Sequence, residues 1–133
     1  MRESRRRVGM RNRRWILGRV GEWWACVWLC CLGYRIFRRN WRCKAGEIDI
    51  VAMSVTSVFF VEVKTRWRRL RHHGSCLVPF AQRRRIVRAA EVFLAQFSRE
   101  TMDRTIDFTI VEIVVSPWPR LQMKRDAYRG EDQ

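Results

Sequence analysis

Two stretches of the sequence decide the fold: residues 47–53, EIDIVAM, and residues 57–65, SVFFVEVKT. Both are rich in β-branched and aromatic residues, and three residues separate them, which predicts two neighbouring strands joined by a tight turn. Each stretch holds a carboxylate between apolar residues, Asp49 in the first and Glu62 in the second. Because an unpaired carboxylate is costly to bury, both residues are expected to have a cationic partner or a metal ion.

The alternation of side chains along a strand predicts which residues lie on the same face as Asp49 and Glu62. Glu47 and Asp49 are predicted on one face of the first strand, and the two isoleucines between and after them on the other face. On the second strand, Glu62, Lys64 and Arg66 share a face. The tight turn can therefore place Asp49 beside Glu62, with Lys64 one step along. Two carboxylates beside an ammonium group can hold a divalent cation and its bound water.

Each of these residues has a role in phosphodiester hydrolysis. Mg²⁺ prefers one or two carboxylates together with water and phosphate oxygens, so Asp49 and Glu62 are predicted metal ligands, with the carbonyl of Val63. Lys64 is the predicted catalytic lysine, which orients the water and offsets negative charge in the transition state. The alternative is structural: a network of ion pairs in which the carboxylates balance Lys64 and Arg66.

Before these strands, a helix is predicted over about residues 18–32, with Gly33 at its C-terminal cap. It carries Glu22 in an otherwise hydrophobic run. If the helix packs on the sheet, Glu22 can complete the metal site, directly or through water; alternatively, it is a first-turn carboxylate favoured by the helix dipole. Residues 1–16 are rich in arginine and predict a flexible basic arm that contacts phosphates or aids solubility.

The remaining elements complete one α/β domain over residues 17–130. Further strands are predicted at residues 34–42, 105–115 and 121–128, and a second helix at residues 79–97, where apolar residues recur at helical spacing. The order of helix, three strands, helix and strand predicts a central mixed sheet flanked by helices.

The charge indicates the class of partner. Lys and Arg outnumber Asp and Glu by 28 to 13, for a formal net charge of +15. A domain this basic typically binds a polyanion, although structural RNA binding would explain the charge equally well. The residues predicted to follow the phosphate backbone are arginines after the second strand of the pair and at the start of the second helix: Arg66, Arg68, Arg69, Arg84 and Arg85. Trp67 is suited either to stacking on an exposed base or to packing.

The five cysteines argue against a zinc site. They lie mainly in hydrophobic stretches without paired C-x-x-C spacing, which predicts reduced thiols in a cytoplasmic protein. His72, His73 and Cys76 are interpreted as loop residues rather than as ligands. The apolar run at residues 23–32 is too short to span a bilayer, and Arg19 and Glu22 interrupt a signal-peptide core, so neither a membrane location nor export is expected.

Several segments together resemble one family. They are residues 18–25 (GRVGEWWA), 33–36 (GYRI), 39–42 (RNWR), 46–50 (GEIDI) and 60–66 (FVEVKTR), extended by residues 84–90 (RRIVRAA) and Asp107. The combination resembles the YraN-type bacterial family within the PD-(D/E)xK nuclease superfamily. The resemblance implies a restriction endonuclease-like αβββαβ core, similar to archaeal Holliday junction resolvases.

The resemblance also implies roles for particular residues. Glu22, Asp49 and Glu62 would be metal ligands for Mg²⁺ or Mn²⁺, Lys64 the catalytic lysine, and Glu47 a residue at the edge of the site. This chain departs from the family at Gln82, where a lysine is common, and at residues 105–106, where Thr-Ile replaces Arg-Phe. These departures concern DNA contacts more than the metal site.

Three functions remain open. The first is a metal-dependent nuclease acting on DNA, which could be branched or damaged. It is favoured because carboxylates without a metal would repel phosphate. The second is a non-catalytic nucleic-acid-binding protein with a nuclease-like fold. The third is a protein-interaction subunit that forms a homodimer through the tryptophan-rich first helix, with Trp23, Trp24 and Trp28 in the contact.

Overall fold

The computed structural model of the protein describes residues 2–68, 78–125 and 127–128. Its elements follow in this order: α1 (Arg2–Cys31), β1 (Arg35–Cys43), β2 (Gly46–Met53), β3 (Ser57–Arg68), α2 (Phe80–Gln96), α3 (Ser98–Thr101), β4 (Thr105–Ser116) and β5 (Arg120–Lys124). The predicted mixed α/β fold with an αβββαβ core is therefore confirmed, with the short α3 added after α2.

The five strands form one sheet in chain order, β1-β2-β3-β4-β5. β1, β2 and β3 form an antiparallel meander, β4 lies parallel to β3, and β5 returns antiparallel to β4. A parallel neighbour requires a crossover, and α2 and α3 lie in that connection. The chain thus places α1 before the meander and α2 after it.

The two larger of three hydrophobic clusters hold the helices on the sheet. In the first, Ala25, Cys26 and Leu29 of α1 pack on a group from β2, β3 and β4: Ile50, Ala52, Phe59, Val61, Val111 and Ile113. In the second, Ala89, Ala90 and Phe93 of α2 pack on residues from β2 and β3: Ile48, Val51, Met53, Val58 and Phe60. Phe93 is fully buried and meets Trp41 and Phe60 edge to face, at centroid distances of 5.2 and 5.6 Å.

These clusters correct the predicted alternation in β2. Ile48 packs in the cluster of α2 and Ile50 in the cluster of α1, so the two isoleucines do not share a face. The ladder between β2 and β3 pairs residues only as far as Ile50 with Val61. Before Ile50, β2 pairs with β1 alone, so no ladder bonds to β3 fix its orientation there.

The first helix is longer than predicted at its start and matches the prediction at its end. α1 begins at Arg2 instead of about residue 18, since arginine and methionine favour helix and only one glycine, Gly9, interrupts residues 2–17. At the other end, Gly33 has a φ of 91° and donates to the carbonyl of Cys30 at 3.0 Å, while the N–H of Tyr34 donates to Leu29 at 3.0 Å. The cap predicted at Gly33 is therefore confirmed.

Gly21 allows α1 to approach β3 closely, and its replacement by alanine is expected to lower the free energy of unfolding by about 1–3 kcal/mol. A Cβ atom at Gly21 would overlap the hydroxyl oxygen of Thr65, and it would lie 3.4 Å from the Cδ1 of Ile113. Gly18 is the matched control, because a Cβ there meets nothing within 4 Å. Gly18→Ala should leave stability unchanged or raise it by up to about 1 kcal/mol.

Urea unfolding followed by tryptophan fluorescence measures both variants. Adding Thr65→Ala to Gly21→Ala should restore most of the lost stability, because it removes the overlapping hydroxyl. Equal stabilities for Gly21→Ala and Gly18→Ala would show that α1 does not lie this close to β3.

Candidate active site

The predicted site lies where β2 separates from β3. The first residue of β2 that pairs with β3 is Ile50, opposite Val61, and Asp49 immediately precedes it. The Oδ2 atom of Asp49 accepts a hydrogen bond of 2.8 Å from the backbone N–H of Val63. The carboxylate thus occupies the position of a backbone acceptor on this edge of β3, and the bond holds it beside Glu62. Val63, which was predicted to contribute its carbonyl, contributes its N–H to the site.

Glu62, Lys64 and Gln82 form a closed triangle on the α2 side of the sheet. The Nζ of Lys64 lies 3.3 Å from the Oε1 of Glu62 and donates to the Oε1 of Gln82 at 3.4 Å. The Nε2 of Gln82 donates to the same Oε1 of Glu62 at 2.8 Å. Glu62 is 7% exposed, so its charge is balanced within the protein by the ammonium group and the amide.

Burial and mutual repulsion perturb the two carboxyl groups. Burial, followed by the charge of Glu62, raises the pKa of Asp49 to about 7, although the Val63 N–H opposes this shift. Burial also raises the pKa of Glu62, against the opposing effect of Lys64. The two groups are close enough for one protonated carboxyl to hydrogen-bond to the other. Such a pair binds a proton or a cation in preference to carrying two uncompensated charges.

Glu22 reaches this region from α1. With the amide of Asn40 oriented so that both of its polar atoms have partners, Asn40 donates to the Oε2 of Glu22 at 2.8 Å and accepts from Arg19 at 3.0 Å. Burial and then the charge of Asp49 raise the pKa of Glu22, and Arg19 opposes this shift. Asn40 has a φ of 47°, a left-handed conformation that asparagine tolerates better than most residues.

The donor set suits a hard divalent cation bound by two carboxylates. Asp49 and Glu62 supply oxygen ligands, and their pKa values are raised first by burial, so a bound cation would favour their charged forms. Within residues 2–68, 78–125 and 127–128, however, no three His, Cys, Asp or Glu side chains are placed to hold a metal together. Glu22 is therefore close enough to affect the pKa of Asp49, but it is not gathered with the pair as a direct third ligand.

Two clefts border the pair. One of about 640 Å³ lies between the β1–β2 hairpin and α2, and Gln82 and Arg85 are in its wall. The other, of about 290 Å³, lies beside α1 and includes Glu22 and Asp49. Arg42 and Glu47, whose side chains form an ion pair of 3.3 Å, line both clefts. Glu47 is thus at the edge of the site, and the site is open on two sides.

The arginines predicted to contact phosphate differ in their placement. Arg84 and Arg85 are exposed on α2. Arg66 lies 3.5 Å from Glu112 on the neighbouring strand β4, so its charge is already partly balanced. The side chain of Arg68 and all of Arg69 lie outside the described residues, as do His72, His73 and Cys76. Trp67 is 62% exposed, so it is free to contact a ligand.

Gln82 and Asn40 are the two site residues for which the sequence did not predict a role. Gln82 stood out only as a departure from the resembled family, where a lysine is common, and Asn40 only as part of the segment RNWR at residues 39–42. Neither position carries a local signal, because Gln82 is 20 residues from Glu62 and Asn40 is 18 residues from Glu22.

In the described part of the chain, no helix combines the length and apolar character that crossing a bilayer requires.

Comparisons with known proteins give a consistent result. The chain is 40% identical to a UPF0102 protein of Prosthecochloris aestuarii, with 81% of this chain and 84% of the relative covered. It is 38% identical to a UPF0102 protein of Symbiobacterium thermophilum over 81% of this chain and 90% of the relative. It is 36% identical to one of Caldanaerobacter subterraneus subsp. tengcongensis over 76% and 81%. The family model described as "Uncharacterised protein family UPF0102" matches residues 21–113, which include Glu22, Asp49, Glu62 and Lys64, and the chain belongs to this family of YraN-type proteins.

Proposed function

We propose that the protein is a Mg²⁺- or Mn²⁺-dependent nuclease of the PD-(D/E)xK superfamily that hydrolyses phosphodiester bonds in DNA. The observation that carries the proposal is the pair of half-buried Asp49 and buried Glu62, with Lys64 at 3.3 Å from Glu62. A protein that only bound nucleic acid would gain nothing from two such carboxylates facing a polyanion, because they repel phosphate. The proposal includes a cytoplasmic location, in keeping with free thiols at Cys26, Cys30, Cys31 and Cys43.

Each site residue would have a distinct role in phosphodiester hydrolysis. Asp49 and Glu62 would hold the cation, with the Val63 N–H fixing the rotamer of Asp49. When bound, the divalent cation supplies Lewis acidity to the phosphate and lowers the pKa of a water molecule. Lys64 would orient the attacking water and stabilise the negative charge that develops on the phosphate oxygens. Glu22, held by Asn40, would act at longer range, as a carboxylate that accepts a hydrogen bond from water at the site.

The basic residues around the clefts support nucleic acid as the substrate class. Arg42 and Arg85 line the larger cleft, and Arg84 is exposed beside it on α2. Arginine binds phosphate oxygens through two parallel hydrogen bonds without reading the base sequence. These contacts are compatible with branched or damaged DNA, in which backbone shape rather than sequence identifies the substrate.

Cleavage of labelled DNA tests the proposal directly. A four-way junction, a flap, a single strand and a duplex are incubated with the protein and Mg²⁺ or Mn²⁺, with EDTA as the control. We expect cleavage of at least one substrate in the presence of metal and none with EDTA. Binding of all four substrates without cleavage under any metal condition would instead support the second candidate, a nucleic-acid-binding protein whose net charge of +15 suffices for its role.

Gln82 is expected to influence the rate through Glu62 and Lys64, since it donates to one and accepts from the other. Gln82→Ala should lower the cleavage rate constant by about tenfold, the cost of one lost charge-assisted hydrogen bond. Gln82→Glu should lower it further, because a third carboxylate would face Glu62. Gln96→Ala, at an exposed position near the end of α2, is the matched control.

Single-turnover rates at saturating metal measure the effect of each variant. A Gln82→Ala rate equal to that of Gln96→Ala would show that the triangle does not contribute to catalysis.

A further inference from the structure

The side of α1 that faces away from the sheet is apolar over four turns. The helix contacts the sheet through Gly21, Ala25 and Leu29. With 3.6 residues per turn, six other residues fall within an arc of about 100° on the opposite side. This outer face of α1 consists of Ile16, Val20, Trp23, Trp24, Val27 and Cys31, all of them exposed.

Such a face is unusual for a helix in contact with water. A surface helix ordinarily carries charged residues opposite its core-facing stripe, and a helix that is apolar all round is ordinarily buried. In this chain 31% of the residues are charged, yet none of the six in the outer face is. Trp23 is 55% and Val27 is 44% exposed, so among residues 2–68, 78–125 and 127–128 no element covers these large apolar side chains.

The exposed area is close to what a stable interface requires. The six residues present roughly 450 Å² of apolar surface, if a fully exposed tryptophan side chain accounts for about 150–250 Å². This matches the largest apolar patch of a typical monomer, about 300–600 Å², and such patches are often functional. Pairing two copies would bury roughly 900 Å² in total, close to the minimum of about 1,000 Å² for a specific protein–protein interface.

We propose that two copies of the chain associate through the outer face of α1, as a helix pair around a two-fold axis. Ile16, Val20, Trp23 and Val27 follow each other at intervals of four, three and four residues, the spacing of the seam between paired helices. A two-fold interface uses the same patch on both subunits, so a self-complementary stripe of this kind suffices. The contact does not involve the proposed nuclease site.

A groove beside α1 can accept a side chain of the second copy. It has a volume of about 260 Å³ and is almost wholly apolar, with Trp24, Trp28 and Leu121 among its lining residues. An aromatic side chain of the second copy would be buried there, as the anchor residues of protein interfaces commonly are. Trp28, expected at the dimer contact from the sequence, packs partly against the core and contributes one wall of the groove.

The lack of charge on the outer face favours a second copy over an anionic surface as its occupant, because an anionic surface is bound through cationic side chains. The six residues are neutral, so pairing them brings no cation against another, although each copy carries a net charge of +15. The remaining repulsion between the copies is screened by salt. Dimerisation should therefore strengthen as the NaCl concentration rises from about 0.1 to about 0.5 M, because the Debye length falls from about 10 Å at the lower concentration. Adsorption to anionic lipid would weaken over the same range.

Sedimentation velocity of the full chain, freed of nucleic acid, tests the proposal. We expect a dimer at micromolar concentrations for the wild type and a dissociation constant at least about 100-fold higher for Val27→Glu, since a carboxylate would be buried without a partner. Val55→Glu makes the same change in the β2–β3 turn, where Val55 is 90% exposed, and should leave the dimer intact. Circular dichroism spectra should show that both variants fold.

Three results would overturn the proposal. One is a wild type that remains monomeric at 100 micromolar in 0.5 M NaCl, a concentration about 100-fold above the micromolar range expected of a weak specific dimer. Another is a Val27→Glu variant that dimerises as strongly as Val55→Glu. The third is a monomer that instead co-sediments with phosphatidylglycerol vesicles and loses this binding in Val27→Glu, which would assign the outer face to a membrane surface.

Discussion

Lys64→Met is expected to reduce DNA cleavage by about 100-fold to 1,000-fold, the range observed when a group that stabilises developing charge is removed. Lys64 contacts both Glu62 and Gln82, so its Nζ has a defined position in the site. Methionine keeps much of the length and apolar volume of the side chain but removes the charge. Affinity for DNA should change little, because one cation contributes a small part of a net charge of +15.

The matched control for this variant is Lys124→Met, at an exposed position on β5. It removes the same charge away from the site, so it should cleave at the wild-type rate. Rates are measured under single-turnover conditions with Mn²⁺ and Mg²⁺, and affinities by fluorescence anisotropy with EDTA. Equal cleavage by the wild type and Lys64→Met would refute the role of Lys64. A cleavage loss fully explained by weaker binding would make it a phosphate contact.

Asp49→Asn is expected to stabilise the metal-free protein at pH 8 by about 2 kcal/mol and to have little effect at pH 4. The pKa of Asp49 is raised from 3.8 to about 7 in the folded protein, first by burial and then by Glu62. A raised folded pKa means that stability is complete below the unfolded value and falls as the pH rises through 7. Asparagine removes this loss and can still accept the hydrogen bond from Val63.

Urea unfolding in EDTA between pH 4 and pH 8 measures the difference. Glu91→Gln, an exposed carboxylate on α2, is the control and should not change the pH dependence in this way. Adding Mn²⁺ at pH 8 should reverse the order, since the wild type gains the binding free energy of the cation and Asp49→Asn loses a ligand. If Asp49→Asn destabilises the metal-free protein equally at pH 4 and pH 8, Asp49 is a structural residue with an ordinary pKa.

Local sequence pattern was sufficient for the strands that hold the site. β2 and β3 are rich in β-branched and aromatic residues and are separated by one short turn. The predicted bounds agree closely with Gly46–Met53, and they agree with Ser57–Arg68 at its start. Alternation also placed Glu62 and Lys64 on the same face, and their side chains meet at 3.3 Å. The strands and the shared face can be read from residues close together in the chain, because the side-chain direction of a strand repeats every two residues.

The same alternation failed for Ile48 and Ile50. It assumes a strand that keeps its orientation along its length, whereas β2 pairs with β3 only from Ile50 onward, and the preceding Asp49 bonds through its side chain to the backbone of Val63. Where a strand separates from its partner, packing against the two helices determines which way each side chain points. The failure lies at the site itself, because the separation of the strands makes room for the clefts.

The sequence alone determined the α/β class, the strands, the cap at Gly33 and the carboxylates and lysine of the site, since each is set by residues near one another in the chain. Only the tertiary structure decided that Gln82 bridges Glu62 and Lys64, that Asn40 holds Glu22, and that Arg66 faces Glu112. It also decided that the outer face of α1 is left uncovered. These relations join residues from different elements, and they depend on how the two hydrophobic clusters seat the helices on the sheet.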